Sequence, residues 1–166
     1  MPGTRRRTLA GTRSGSIEVH LGPSVGIIFF NDYVFRQTKT YLTPKAIERI
    51  GPFLPQLIEL LAKGPSYFAA LVAMDLLEVS PRPSLLPLLT AGAKSWLGSY
   101  ADDTGFWMGH GIGRRFCDWV DRIRLSAPDT LASDKVERQE IDRILAALVQ
   151  IGLPEARQLE TELAGI

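Results

Sequence analysis

From residue 43 onward the apolar residues fall three and four positions apart, and glycine, proline or serine interrupts the pattern every roughly 10–20 residues. A chain with this spacing can fold only as a series of amphipathic helices. Each helix is too weakly stable alone and must bury its apolar face on a neighbour. Thr43-Pro44 reads as the first helix start, because threonine can accept from a free amide and proline fits the first helical position. Ile47, Ile50, Leu54, Leu57, Ile58 and Leu61 follow. Pro52 and Pro55 predict a break near Gly51.

Ser66 is expected to cap a second helix with Phe68, Leu71, Val72, Leu76 and Val79 on one face. The segment 80–83 ends it. Ser84 restarts the pattern with Leu85, Leu88, Leu89, Ala93, Trp96 and Leu97. Asp102-Asp103-Thr104 offers the next cap. Met108, Ile112, Phe116, Trp119 and Ile123 then form one continuous stripe. A polar loop with Pro128 precedes a helix expected to start at Ser133, striped by Ile141, Ile144, Leu145, Leu148 and Ile151 and ended by Gly152. Pro154 opens the last helix, which carries Leu159 and Leu163. Short connections make successive helices antiparallel neighbours.

Residues 17–42 follow another grammar. Ile17, Val19 and Leu21 alternate with Glu18 and His20, and Gly22-Pro23 marks a turn. Val25 to Phe30 and Tyr33 to Phe35 flank Asn31-Asp32. Short strands forming a β-hairpin, or a single apolar helix, both fit. Residues 1–16 hold Arg5, Arg6, Arg7 and Arg13 with no acid, and almost nothing to bury. They read as a disordered tail, with a basic arm for phosphate groups as the functional alternative. The expected organisation is that tail followed by one domain over 17–166, with helix pairs over 43–166.

Because 45% of the 166 residues are hydrophobic, the chain has material for one sizeable core. Its net charge of +1 gives no global field demanding nucleic acid. The single cysteine, Cys117, cannot close an internal disulfide. No run is long and apolar enough to span a bilayer, so no membrane is expected and a cytoplasmic location is the default.

The phrase Pro52-Phe53-Leu54-Pro55-Gln56-Leu57 returns loosely as Ser84-Leu85-Leu86-Pro87-Leu88-Leu89, with Pro55 and Pro87 32 residues apart. Such a period belongs to stacked helix pairs. The stretch from Phe53 to Leu61, a turn, and the stretch from Ala69 to Leu77 resemble one repeat of the HEAT family. The resemblance extends over about residues 43–165 as three pairs. Gly64-Pro65-Ser66-Tyr67 stands where that family usually carries Asp and Val-Arg. The segment from Trp96 to Val120, with Asp102-Asp103-Thr104-Gly105-Phe106-Trp107 and Gly111-Ile112-Gly113-Arg114-Arg115, is similar to the C-terminal helical repeats of large bacterial STAND-type NTPases. These resemblances imply a mainly α fold, a short HEAT-like α-solenoid, and a non-catalytic surface for recognition, sensing or assembly in a bacterial setting.

Gly105, Gly109, Gly111 and Gly113 would weaken a helix by about 3–4 kcal/mol relative to alanines, so something must offset them. A phosphate cradle with Arg114 and Arg115 needs a preceding strand and a phosphate-binding lysine, and the sequence has neither here. Two readings remain. Gly105, Gly109 and Gly113 lie four apart and could let a neighbouring backbone approach closely. Alternatively the helix breaks and presents Trp107 and His110 outward.

Tyr100, Trp107, His110, Arg114 and Arg115 have the composition of an interaction surface, with partial burial as the plainer alternative. The expected partner is another protein or a copy of this chain. Nucleic acid bound through the basic arm and Arg114/Arg115 is the second expectation. An enzyme using His110 and Asp118, beside Asp121, is the third. No second histidine, nucleophile or metal-ligand pattern supports catalysis, and neither a metal nor a cofactor is expected. Asp102 and Asp103 read better as caps than as cation ligands, and Cys117 as a small buried hydrophobe.

Overall fold

The structure, a computed structural model, describes residues 44–64, 67–79 and 81–166. The expected tail over 1–16, the strand-like element over 17–42 and the caps at Thr43 and Ser66 lie outside the described residues. Within them the chain is helical and holds no strand. The order is α1 (Pro44–Ile50), a 3-10 turn (Gly51–Phe53), α2 (Leu54–Ala62), α3 (Tyr67–Val79) and a second 3-10 turn (Pro83–Leu85). Then come α4 (Leu86–Tyr100), a π-helical turn (Gly105–Gly109), α5 (Ile112–Ser126), α6 (Pro128–Ser133), α7 (Lys135–Ile151) and α8 (Pro154–Leu163).

The prolines act as starts. Pro52 opens the 3-10 turn that separates α1 from α2, and Pro55, Pro87 and Pro154 stand in the first turns of α2, α4 and α8. An amide missing there would have had no intrahelical partner. Asp134 caps α7 by accepting from the amides of Val136 (3.2 Å) and Glu137 (3.1 Å). Ser133 was the expected start; it instead ends α6, a short helix where a polar loop was expected, held by buried Leu131. Gly152 ends α7 at φ +100°, and the Leu153 amide donates back to the Leu148 carbonyl at 3.0 Å.

Contacts between helices fall into two rows. α2 packs on α4 and α4 on α7; α3 packs on α5 and α5 on α8. The rows are joined within pairs, α2 with α3, α4 with α5 and α7 with α8. The core runs along the seam between the rows.

α3 is the interior helix. All nine residues from Ala69 to Leu77 are buried, Asp75 included. One apolar face was expected; instead the helix is buried all round from Ala69 to Leu77. Phe68 and Val79, at its ends, are only partly buried. The stripe on α5 holds for Ile112, Phe116, Trp119 and Ile123, but Met108 is 46% exposed and does not belong to it. The helix does not run through that point. The His110 amide closes the π turn on the Gly105 carbonyl at 2.8 Å, Gly111 takes φ +72°, and α5 begins afresh at Ile112.

Of the three glycines spaced four apart, only Gly113 serves close packing between helices. A Cβ there would lie 2.9 Å from Leu153 Cδ2 and 3.2 Å from the Trp107 carbonyl oxygen, whereas one at Gly109 would meet nothing within 4 Å. Gly113→Ala should therefore lower stability by roughly 1–3 kcal/mol through overpacking. Gly109→Ala should change it far less. Thermal unfolding followed by circular dichroism checks the pair, and equal effects would refute this account of Gly113.

Candidate interaction surface

The corner between α4 and α5 is built from its anchors outward. Asp103 turns the chain: its amide donates to the Tyr100 carbonyl (3.1 Å), and its Oδ1 accepts from the Phe106 amide (2.9 Å). Phe106 and Trp107 then drive inward and are fully buried. Phe106 stacks on Tyr100 with centroids 4.4 Å apart and meets Trp107 edge-on at 4.9 Å. The indole Nε1–H of Trp107 donates to the Tyr100 carbonyl at 2.8 Å. Burying these two rings contributes about 1.5–3 kcal/mol each, enough to offset the glycines around them.

With the rings pointing in, Met108, Gly109 and His110 are left outside. The edge of Tyr67 packs against His110, with centroids 5.3 Å apart, and Tyr67 also packs edge-on against Tyr100 at 4.9 Å. Tyr100 is half-buried and lines an open recess formed by residues 98–104, with Asp102 and Asp103 on its wall. Arg114, on the first turn of α5, is exposed and lies 3.8 Å from Asp118.

Two of the expected surface residues are interior instead. Trp107 fills the core, because its indole nitrogen finds a carbonyl there and nothing penalises its burial. Arg115 reaches into the seam between α3 and α5. Its Nη2 donates to Asp75, and its Nε and Nη2 donate to Glu78 at 2.6 and 3.0 Å. Burial disfavours the Arg115 charge, but bonds to Glu78 and Asp75 outweigh that and hold its pKa above the ordinary value. Arg115 is thus committed to two carboxylates, and the expected Arg114/Arg115 phosphate contact loses one of its members. Arg5, Arg6, Arg7 and Arg13 lie outside the described residues. Tyr100, His110 and Arg114 therefore keep their places on a surface, joined by Met108.

Asp75 escaped the sequence reading, although a signal existed. It is the only charged residue between Tyr67 and Leu77 in an otherwise apolar helix, and such a group needs a cation from elsewhere in the fold. Asp121, expected beside His110, instead receives Arg124 at 2.7 Å, which also reaches Glu162 at 2.8 Å and ties α5 to α8. His110 and Asp118 are both exposed. Cys117 is buried, and its thiol is pushed up to about 12 by burial and by the charges of Glu155 and Asp118. Among the described residues no group of three or more His, Cys, Asp or Glu could hold a metal ion, and no helix is long and apolar enough to cross a membrane. Compared with models of protein families, with curated proteins and with solved structures, the chain matches none.

Removing Arg115 takes away the guanidinium that Asp75 and Glu78 share. Arg115→Ala should destabilise the fold by roughly 1–3 kcal/mol, measured by urea unfolding, because Asp75 and Glu78 both lose their charge-assisted bonds to the guanidinium. Arg114→Ala should stay within about 0.5 kcal/mol, as for an exposed pair.

Cys117 makes a prediction about pH. In the unfolded chain the thiol ionises near 9.0, while in the fold it keeps its proton to about 12. Between those values the unfolded state binds fewer protons, so stability falls as pH rises through that window. Cys117→Ala should remove this part of the decline. Parallel unfolding curves at pH 8 and pH 10 (values about one unit either side of the free thiol's pKa) measure the difference, and identical slopes for both proteins would rule it out.

Proposed function

We propose that the chain is a non-catalytic recognition or assembly module, built as a short HEAT-like α-solenoid, whose partner is another protein or a copy of itself. The two-row packing supports the architecture: α2, α4 and α7 form one flank and α3, α5 and α8 the other, as three stacked helix pairs would. The observation that carries the function is the corner at residues 100–114. There a π turn, an element often found at functional sites, buries two aromatic anchors and leaves Met108, His110 and Arg114 in solvent beside half-buried Tyr100. A mixed apolar, aromatic and cationic patch on a rigid base suits a protein partner, since little conformational entropy is lost on docking. A protein fits better than nucleic acid because Arg115 is engaged with Asp75 and Glu78, and Arg114 faces Asp118.

The test compares the full chain with a Met108→Ser/His110→Ala/Arg114→Ala variant in affinity capture and in light scattering. Circular dichroism should show both folded alike, because all three side chains are exposed. The expected result is a partner, or a self-associated species, present with the first protein and lost at least tenfold with the second, about 1.4 kcal/mol of binding. Equal binding by both would reject this corner as the surface. A folded monomer that captures nothing would reject the recognition reading.

A further inference from the structure

Three glycines stand inside the described α-helices, Gly92, Gly98 and Gly113, and each weakens its helix relative to alanine. Two of them are explained by a close neighbour. A Cβ on Gly92 would lie 3.2 Å from the Ala62 Cβ, and one on Gly113 would press against Leu153. Gly98 has no such neighbour among the described residues. It is exposed on the outer face of α4, and a Cβ there would meet nothing within 4 Å. Its backbone is not in the left-handed region, so local conformation does not call for glycine either. What accounts for Gly92 and Gly113 is another element lying close against them, and for Gly98 that element comes from outside the chain.

We propose that this element is α4 of a second copy, crossing antiparallel over Gly98. The charges on the exposed face of α4 are their own complement. Lys94, Gly98 and Asp102 lie four residues apart and are all exposed, and the helical backbone continues through Ala101, so the three share one row. A two-fold axis at Gly98 therefore sets each Lys94 against the Asp102 of the other copy, once at either end of the contact. Between the charges Ser95 and Ala101 are exposed and small, so two such rows can approach until the glycines meet. Rows of this kind run alongside each other when two helices cross at about −50°. Lys94 can reach across, because its pair with Glu140 is long at 3.5 Å and its side chain is 69% exposed. A net charge of +1 adds little repulsion between copies. A different partner would have to carry the matching row in an unrelated sequence, whereas a second copy brings it by symmetry.

This contact is separate from the patch at Met108, His110 and Arg114, and holds whether or not that patch takes a partner. Its test is sedimentation velocity on the full chain over a range of concentrations. The unaltered chain should form a reversible dimer. Gly98→Leu should weaken the dimer by roughly tenfold or more, because it places a side chain on the axis, with its circular dichroism unchanged. Lys94→Glu and Asp102→Lys should each weaken it comparably when alone, because like charges then face each other. Mixed in equal amounts, the two variants should dimerise as the unaltered chain does, since each supplies the charge that the other lacks. An unaltered chain that stays monomeric, a Gly98→Leu variant that dimerises normally, or a mixture that stays monomeric would each overturn the proposal. Met108→Ser/His110→Ala/Arg114→Ala should dimerise normally. Loss of the dimer in that variant, with Gly98→Leu unaffected, would move self-association to the 100–114 corner, against this inference and in favour of the corner as a recognition surface.

Discussion

Asp75 lies on the most deeply buried of the described helices and carries a charge that the interior would not tolerate alone. Arg115 supplies the counter-charge from α5 and shares it with Glu78, one turn further along α3. One turn beyond Arg115, the indole of Trp119 donates to the Leu77 carbonyl at 3.0 Å. Two contacts spaced four residues apart on α5 thus meet three residues within one turn of α3. Apolar packing alone would permit a helix to slide or rotate by a residue, since leucine and alanine surfaces discriminate weakly between registers. The guanidinium and the indole do not permit it, because each wrong register breaks their bonds to Asp75, Glu78 and the Leu77 carbonyl. The position of α5 on α3 then sets where the π turn closes and where α8 docks.

Much of this was legible in the residues. Proline and glycine placed the helix ends because their restrictions are local: Pro55, Pro87 and Pro154 open helices and Gly152 ends one through its left-handed backbone. Apolar spacing named Ile141, Ile144, Leu145, Leu148, Leu159 and Leu163, all buried, for the same reason, although Ile151 is only partly covered and buried Ala156 was not among them. The corner was harder. Met108 and Ile112 are four apart, so periodicity carried a helix straight through a point where the chain makes a five-residue hydrogen-bonded turn and then a left-handed glycine. Period sees side-chain spacing and is blind to which carbonyl an amide selects. The break was among the expected alternatives for this glycine-rich segment, and it does leave His110 outside; Trp107 went inward because a carbonyl seven residues earlier was waiting for its indole.

The candidate surface was legible in part. Tyr100, His110 and Arg114 could be named from composition, and all three keep some exposure. Arg115 could not be separated from Arg114, its neighbour in sequence, because the difference between them lies 40 residues away at Asp75. A helix turns about 100° per residue. Adjacent arginines therefore face different worlds, one in solvent and one in the seam.

The notch at Gly113 links parts of the molecule that nearest-neighbour stacking would leave independent. Leu153, from the turn between α7 and α8, presses against the place a Cβ would take, and the Trp107 carbonyl bounds the same space. Stacked helix pairs can in general fray from an end, each pair melting on its own. Here the last pair cannot lift away without emptying a space beside the anchor of the middle corner, and the middle pair is bound in turn to the first through Arg115. Among the described helices, the corner that carries the exposed patch is therefore braced from the last pair at Gly113 and from the first pair at Arg115.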